Sequence, residues 1–468
     1  MAGRRIAVVG GGITGVAAAH HAATRGGDVV LFEASPHVGG RVASQPFAGL
    51  DHVDSGPDAF LARVPDAVRL ATEVGIADEL VHPERVGAAV WYDRLHDIPD
   101  GLVLGVPGRL RPLALSRLIS PLGKARAALE PFLPRTSTEA DSIGAFVRAR
   151  FGDEVHERLV DALVGSIYAT DTDRFSLAEI PQLAALTGER SLLLAARRTR
   201  SAGTASAAAA PIFATPSGGM ARLVEATAEA ARTAGAELRL GSPVTVTDSG
   251  EGWRVDDEPV DAVVLCAAPR ALGDTLGRPG GAGGARDAAA VDDVRRLLAR
   301  GEAADVVMVT LHVADAEWPD RLRGRSGYLV PKPVQRDVTA VSFGSQKWRH
   351  WAPPTGGQIL RVSLGRDGAP VLHLSDDEIV VRALADLRRH LGVDLSPREV
   401  RVTRWPGAFA QYRPHHRRWV DAVRAALPDG LFVAGAGFDG IGIPACIRSG
   451  TVQAGLALHG HAPDGTSR

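Results

Sequence analysis

The 468-residue sequence predicts an α/β fold that opens with a β-α-β unit and continues through a mainly helical segment and an α+β segment. The opening unit is indicated by the apolar run Ile6–Val9, a glycine turn, an alanine-rich stretch and a second strand at Asp28–Glu33. Helical patterns dominate residues 65–200, for example at 141–150 and 154–164. Short strands and helices alternate afterwards, with a helix at Asp376–Leu391, and end with a strand at 431–434 and a helix at 445–458.

Composition excludes several classes of protein before any motif is considered. The length favours about three domain-sized units, and 45% hydrophobic with 23% charged residues is ordinary for a globular chain. The net charge of −1 gives no electrostatic reason to expect a nucleic-acid partner. The two cysteines, Cys266 and Cys446, are too few for a disulfide framework or a four-cysteine zinc site. With no signal peptide and no apolar run near ~20 residues, we expect a soluble cytoplasmic protein without a metal site.

The first glycine cluster predicts a dinucleotide site. Gly10, Gly12 and Gly15 fit the pattern G-x-G-x-x-G between a strand and a helix, and Glu33 follows at the end of the second strand. The first glycine permits a tight turn, the second lets a pyrophosphate approach the backbone, and the third lets the helix pack closely. The helix start supplies N–H groups for the phosphates, and the Glu33 carboxylate can accept hydrogen bonds from the ribose hydroxyls. The predicted contacts are Gly10, Gly12, Ile13, Thr14, Gly15, Glu33 and Ala34; the alternative is a glycine turn without a ligand.

A second glycine pair favours FAD over NAD. Gly39-Gly40-Arg41 suits another approach of the backbone to the pyrophosphate, with Arg41 as its charged partner. A further tight loop follows at Gly56-Pro57-Asp58-Ala59. The combination resembles the glutathione-reductase-type, Rossmann-like FAD fold, in the branch that contains amine oxidases, carotenoid desaturases and porphyrinogen oxidases. Near the end of the chain, a glycine-rich turn leads into a helix with Pro444 at its start, which would stabilise negative charge on a reduced flavin.

Four longer motifs make the resemblance more specific. They are Gly435–Gly450, Leu163–Ala169, Asp54–Leu61, and Ser345–Trp348 with Arg361–Arg366. Together they resemble protoporphyrinogen/coproporphyrinogen oxidases over nearly the whole chain. Ser166 and Thr170 depart from that pattern, because the family usually has glycine there, in a loop that would face the substrate.

The resemblance implies an activity. It is the FAD-dependent oxidation of coproporphyrinogen III to coproporphyrin III in haem biosynthesis, a six-electron reaction that takes three flavin cycles, uses oxygen and releases hydrogen peroxide. The chemistry is the flavin's, so no side chain is assigned a catalytic role. Arg63 is the candidate for a substrate propionate by its position. The other positions that match substrate contacts are Ser166, Tyr168, Gly327, Tyr328 and Leu329. The remaining positions that match FAD contacts are Val244, Trp405, Ile441, Gly442 and Ile443.

The motifs divide the chain into interleaved segments. FAD-binding segments are predicted at 1–64, 205–268 and 403–468, a mainly helical substrate or membrane-type subdomain at 65–204, and an α+β substrate segment at 269–402. The partners implied are a small-molecule tetrapyrrole, oxygen and enzymes of the haem pathway.

Several alternatives stay open. The substrate could be protoporphyrinogen IX, or the chain could be a related amine oxidase or carotenoid desaturase. A non-enzyme alternative is a flavin-free escort-type binding protein of the same fold. Any membrane contact would be peripheral and would involve the amphipathic stretch Leu102–Ala128. We favour the interpretation that this stretch packs on its own domain.

Overall fold

A computed structural model describes residues 3–136, 141–204, 211–250, 252–277 and 288–460. The strands in chain order are β1 Arg5–Val9, β2 Asp28–Phe32, β3 Ser44–Phe47, β4 Leu50–Asp54, β5 Phe60–Leu61, β6 Leu80–Val81, β7 Gly87–Trp91, β8 Leu95–Asp97, β9 Leu102–Val103, β10 Val106–Pro107, β11 Phe213–Pro216, β12 Glu237–Arg239, β13 Val246–Asp248, β14 Trp253–Val255, β15 Glu258–Val260, β16 Ala262–Leu265, β17 Ala303–Val313, β18 Arg325–Leu329, β19 Val338–Phe343, β20 Gln358–Leu364, β21 Glu399–Ala410 and β22 Leu431–Val433. The helices are α1 Ile13–Ala23, α2 Pro65–Glu73, α3 Leu110–Leu115, α4 Pro121–Ala128, α5 Ile143–Phe151, α6 Asp153–Val155, α7 Ser166–Tyr168, α8 Pro181–Ala184, α9 Leu192–Thr204, α10 Ala221–Thr233, α11 Pro269–Thr275, α12 Ala288–Leu298, α13 Gly344–Lys347, α14 Asp376–Leu391, α15 His416–Ala426 and α16 Ile443–His459.

A five-stranded parallel sheet forms the first layer. Its order is β12-β2-β1-β16-β22, so residues from both ends and the middle of the chain build one sheet. The central strands are buried on both faces, which explains their continuous apolar runs. The helices α1, α10 and α16 cover one face, and α1 and α16 lie directly against each other. The predicted Rossmann-like core is confirmed.

A seven-stranded mixed sheet forms the second layer, in the order β21-β17-β20-β19-β18-β7-β8. The helix α14 packs on one of its faces through a buried apolar cluster. Its start is fixed by Ser375 and Glu378, whose side chains each accept a hydrogen bond from the backbone N–H of the other residue. The sheet reaches into the region predicted to be mainly helical, because β7 pairs with β18 far along the chain.

The helical unit consists mainly of α3 to α9 around a third cluster. Residues His156–Gly165 form a π-helix that runs into α7, where a continuous α-helical pattern was predicted over 154–164. In the amphipathic stretch, Leu113, Leu118 and Ile119 are buried, whereas Leu115 is 74% exposed. Among the described residues, no helix has both the length and the apolar character required to span a membrane.

The predicted domain boundaries remain predictions, and one of them falls within a described element. The strand β21 runs through residue 403 and pairs with β17 as far as Ala410, so that boundary falls inside a strand of the second sheet. The boundary at 205 lies outside the described residues.

Candidate active site

Contacts between glycines close the turn between β1 and α1. A Cβ on Gly15 would overlap the carbonyl oxygen of Gly10, so α1 can lie against the end of β1 only because position 15 has no side chain. A Cβ on Gly12 would meet no protein atom within 4 Å, so the space beside this glycine is open. Gly12 caps α1 without a side-chain hydrogen bond, which leaves the N–H groups of Ile13 and Thr14 to a ligand. The turn therefore fits a pyrophosphate.

Glu33 lies beside this turn at the end of β2. Its Oε2 accepts a hydrogen bond from the Gly11 N–H at 2.6 Å, and its Oε1 accepts one from the Ser35 N–H at 2.8 Å. A carboxylate has about four acceptor sites, so Glu33 retains capacity for ribose hydroxyls. Ala34, which follows it, is exposed at the rim.

The second glycine turn packs against the first. Gly39 forms a parallel bridge with Gly12, and its N–H donates to the Gly11 carbonyl at 2.9 Å. Gly40 and Arg41 follow, and the Arg41 guanidinium donates to the Gly407 carbonyl. Burial lowers the pKa of Arg41, and no carboxylate of the described residues forms an ion pair with it. A half-buried cation without an acidic partner, next to the pyrophosphate turn, is what an FAD diphosphate requires.

The loop Gly56–Ala59 is clamped between this turn and the second sheet. A Cβ on Gly56 would overlap the Arg41 carbonyl oxygen. Burial acts to raise the pKa of Asp58, but Lys347 at 2.8 Å and Arg361 at 3.8 Å outweigh it and hold that pKa below its usual range. Sequence reasoning placed Lys347 and Arg361 within family motifs but assigned them no role. Pro57 and Ala59 lie half-buried on either side of Asp58.

Two other predicted FAD contacts flank these turns. The Trp405 indole N–H donates to the Ser55 carbonyl at 2.9 Å, which places its ring beside Gly56. Val244 lies two residues after Ser242, whose N–H donates to the Glu33 carbonyl at 2.9 Å. Trp405 therefore lies beside the 56–59 loop, and Val244 lies near Glu33.

The glycine-rich loop after β22 is held by a short hydrogen-bonded chain. The Ser449 hydroxyl donates to Asp439 at 2.5 Å and accepts the Gly435 N–H at 2.8 Å, while Arg424 pairs with Asp439 at 2.7 Å. This chain fixes the segment that leads through Ile441 to the start of α16.

The starts of α1 and α16 are separated by about two turns of helix. A Cβ on Gly450 of α16 would overlap the carbonyl oxygen of Thr14 in α1, so the two helices touch there. From Gly450 back to Ile443, α16 continues for seven residues, or roughly 10 Å at 1.5 Å per residue. Its first residues are capped by Gly442 without a side-chain hydrogen bond. We call the two glycine turns, the 56–59 loop and the start of α16 the dinucleotide cradle.

Two segments form what we call the substrate wall: Ser166–Tyr168 and Gly327–Leu329. Tyr168 and Leu329 are half-buried and pack against the same apolar cluster as Ile441 of the cradle. The Tyr168 ring lies 5.3 Å from the Phe175 ring, and burial raises the pKa of Tyr168. The structure thus brings one predicted residue from each of three distant segments to one apolar cluster.

Two other predicted substrate contacts, Tyr328 and Arg63, lie in different surroundings. Side chains alternate along β18, so Tyr328 points away from the side of Leu329 and into the cluster beneath α14. It is 1% exposed, and its hydroxyl lies 3.1 Å from Nδ1 of His390. Its side chain is therefore part of the core. Arg63 is exposed in the turn between β5 and α2.

A buried ion pair supports the substrate wall from behind. Nη2 of Arg366 lies 3.0 Å from Oδ1 of Asp161, with side-chain exposures of 4% and 2%. The same guanidinium donates to the Thr170 carbonyl, and Asp161 accepts the Thr172 hydroxyl at 2.8 Å. The pair thereby connects the turn after β20 to the π-helix and to the loop after Tyr168. Sequence reasoning missed this role, although Arg366 ends one of the family motifs.

Comparisons with known proteins agree with this geometry. Residues 13–458 match the family model of flavin containing amine oxidoreductases. The chain is 31% identical to coproporphyrinogen III oxidase of Bacillus subtilis (strain 168), over 97% of this chain and 98% of that protein. It is 32% identical to coproporphyrinogen III oxidase of Mycobacterium leprae, over 96% of this chain and 97% of that protein.

Solved structures show the same architecture. A putative protoporphyrinogen oxidase from Exiguobacterium sp. 255-15 has a TM-score of 0.82 at 27% identity, covering 98% of this chain and 99% of that one. Cyclohexylamine oxidase from Brevibacterium oxydans has a TM-score of 0.66 at 19% identity, with the same coverage, which shows the fold alone.

Proposed function

Because the chain belongs to the family of flavin-containing amine oxidoreductases, we propose that this FAD-dependent oxidoreductase oxidises coproporphyrinogen III to coproporphyrin III, with oxygen as the electron acceptor. The resemblance to porphyrinogen oxidases, predicted from the motifs, is confirmed by the near full-length similarity to coproporphyrinogen III oxidases. The choice of coproporphyrinogen III over protoporphyrinogen IX rests on those relatives.

One observation of the structure carries the proposal. Tyr168, Leu329 and Ile441 come from three distant segments and pack on a single apolar cluster, with Ile441 leading into α16. This arrangement supplies an apolar surface beside the segment that would hold the flavin ring. A flat macrocycle needs such a surface because its reactive carbon must be held against the flavin in a fixed orientation.

The chain contributes binding and orientation rather than acid–base chemistry. Bound FAD would supply two-electron oxidation with oxygen as the final acceptor, so the six-electron reaction would take three cycles and yield three molecules of hydrogen peroxide. The glycine turns and Arg41 would hold the pyrophosphate, and Glu33 would hold the ribose. The start of α16 would favour negative charge near the flavin ring. The substrate wall would position the macrocycle and exclude water.

Turnover of two substrates tests the proposal. Porphyrin fluorescence is followed after adding coproporphyrinogen III or protoporphyrinogen IX to the FAD-loaded protein, and hydrogen peroxide is measured in parallel. We expect three peroxide molecules per coproporphyrin III, and a kcat/KM at least about tenfold higher for coproporphyrinogen III. Inactivity on both substrates with FAD bound would contradict the proposal, and turnover of a primary amine instead would assign the chain to the amine oxidases.

The physiological setting forms part of the same proposal. A role in haem biosynthesis would place the chain in the cytoplasm, next to other enzymes of that pathway. Gradient fractionation of cells into cytosol and membranes, followed by immunodetection, checks the location.

A further inference from the structure

A surface pocket of about 730 Å³ lies at the edge of the second sheet, apart from the dinucleotide cradle. The strand β8 and the turn after it form one side, and α3 and the residues that follow it form the other. This volume falls within the range of small-molecule sites. The pocket contains none of the residues that the sequence motifs single out for cofactor or substrate.

Four arginines line this pocket: Arg94, Arg109, Arg111 and Arg117. All four are exposed, and within the part of the chain that the structure describes none of them forms an ion pair. This differs from arginines elsewhere, such as Arg148, which pairs with both Asp153 and Asp173. Like charges that share one concavity repel each other, so the group is stabilised when an anion binds.

The acidic residues of the lining do not neutralise this charge. Asp97 is already paired with Arg325 at 2.6 Å. Asp100 is the other lining carboxylate, and the lining His96 is buried with its ring 2.5 Å from Asp93. The wall therefore keeps a positive excess. The side chain of Arg109 is also oriented, because its stem packs over Gly101.

Apart from Ser116, the remaining lining residues are apolar. Leu95, Ile98, Pro112 and Leu115 contribute to it, and Leu115 is 74% exposed. Ile98 also packs against the apolar cluster that carries the substrate wall. A pocket with apolar walls and several guanidinium groups suits an amphiphile whose apolar body carries several carboxylates, each able to accept a charge-assisted pair of hydrogen bonds from an arginine.

We propose that this arginine pocket is a second, non-catalytic binding site for a polycarboxylate tetrapyrrole, separate from the flavin site. The identity of the ligand rests on the proposed function, because coproporphyrinogen and coproporphyrin each carry four carboxylates on an apolar macrocycle. The site would hold substrate before it enters, or product after it leaves. The charge complementarity itself does not depend on which reaction the flavin site performs.

Two double variants test the site. They have the same net charge, but only one of them changes pocket residues. Arg109→Glu with Arg111→Glu reverses two pocket charges. Arg296→Glu with Arg388→Glu changes two arginines that are 74% and 71% exposed on α12 and α14. Both changes take the net charge from −1 to −5, since each Arg→Glu substitution contributes −2. Any difference between them is therefore local to the pocket.

Equilibrium dialysis against coproporphyrin III gives the number of porphyrin molecules bound per chain of each FAD-loaded protein. We expect two porphyrins per chain for the wild type and the α12/α14 variant, and one for the pocket variant. The second site should weaken as salt rises from 50 to 500 mM, since exposed charges are screened. Flavin absorbance shows whether each variant is folded, and Arg109→Gln with Arg111→Gln repeats the test with a milder change.

Two results would overturn the proposal: a single porphyrin per wild-type chain, or two per chain in the pocket variant. If instead the pocket variant alone loses binding to phosphatidylglycerol vesicles while its porphyrin stoichiometry is unchanged, the arginines face lipid and the proposal is wrong. Failure of the proposed function is recognised separately. In that case coproporphyrinogen III is not oxidised by any of the proteins, whatever the dialysis shows.

Discussion

The dinucleotide cradle and the substrate wall present different kinds of chemical group. In the cradle the groups that face the cofactor are mostly main-chain groups: the N–H groups at the start of α1, the two glycine turns and the capped start of α16. In the substrate wall they are side chains, Tyr168 and Leu329, which need a correctly facing strand and a supported helix end. The cradle depends on where side chains are absent, and the wall depends on which way they point.

This difference determines how each region fails. A main-chain site is blocked by adding atoms, while the surrounding fold survives. A side-chain site is lost when the support beneath it is removed, and that support is buried and charged. The four predictions below test the contrast in order of decreasing effect.

Arg366→Met should damage the substrate wall most. The change leaves Asp161 buried without its cation, and breaking such a pair costs about 3–5 kcal/mol in the free energy of unfolding. Chemical denaturation followed by circular dichroism measures this. The double variant Arg366→Met with Asp161→Leu should recover part of the loss, since no charge is then left buried. A loss below about 1 kcal/mol in the single variant would show that the pair does not support the wall.

Gly12→Val should block the cradle without unfolding the protein. The new side chain meets no protein atom within 4 Å at its Cβ, so the fold accepts it, but it adds atoms to the turn where we expect the pyrophosphate to bind. We expect FAD affinity to fall at least about 100-fold, or about 2.8 kcal/mol, measured as flavin absorbance per chain after dialysis. Gly87→Val is the matched control, because that Cβ also meets no atom within 4 Å, at the start of β7. Unchanged flavin occupancy in Gly12→Val would show that the pyrophosphate lies elsewhere.

Asp54 lies two residues before the 56–59 loop of the cradle and should make stability depend on pH. It is 0% exposed, its Oδ1 accepts from the Ser44 hydroxyl at 2.5 Å and the Met220 N–H at 2.8 Å, and burial raises its pKa to about 6. Because the folded-state pKa is the higher one, the stabilising contribution is complete below about pH 4 and is lost as pH rises through 6, by about 3 kcal/mol.

Asp54→Asn removes this titration. The free energy of unfolding, measured from pH 4 to 8, should then lose the decline that the wild type shows between pH 4 and 6. Asp51→Asn changes an exposed carboxylate of the same hairpin and should keep the wild-type profile. An unchanged profile in Asp54→Asn would mean that Asp54 is ionised throughout.

Tyr328→Phe should have the smallest effect. It removes a hydroxyl that contacts His390 in the core, at a cost of about 1 kcal/mol in stability, and leaves kcat/KM for coproporphyrinogen III unchanged. The neighbouring Leu329→Ala should raise KM about tenfold, since it removes apolar contact surface on the other side of β18. If Tyr328→Phe changed KM and Leu329→Ala did not, the assignment of the two faces would be reversed.

The cradle could be predicted from sequence because its determinants are local. Gly10, Gly12 and Gly15 fall between a strand and a helix that are both readable from their apolar runs, and the strand predicted at 6–9 is observed at Arg5–Val9. The helix predicted at Asp376–Leu391 is observed with those bounds, because a capping box marks its start and Gly392 its end.

The wall could be predicted only in part, because its determinants are long-range. Tyr328 and Leu329 were both predicted as substrate contacts from positions that match the family. Which of these two side chains is directed to the substrate wall depends on the pairing of β18 with β7 and on the helix α14 packed on the sheet. The strand β7 reads as a short apolar run within a helical region and gains its partner only in the folded chain. Three of the pocket's four arginines lie in the stretch Leu102–Ala128, which was predicted to be amphipathic but not to form a binding site. Since 50 of the 53 basic residues are arginine, a local cluster does not stand out as a site.

The order of the parallel sheet has a consequence for how the chain is synthesised. β1 precedes β16 and β22 in chain order, but its second neighbour is β16, and the edge of the sheet next to β16 is closed only by β22. Until β16 and β22 leave the ribosome, β1 carries an open apolar edge, which is a template for aggregation. We therefore expect the nascent chain to depend on a chaperone and to acquire its flavin only after α16 has been made, since the start of α16 is part of the dinucleotide cradle.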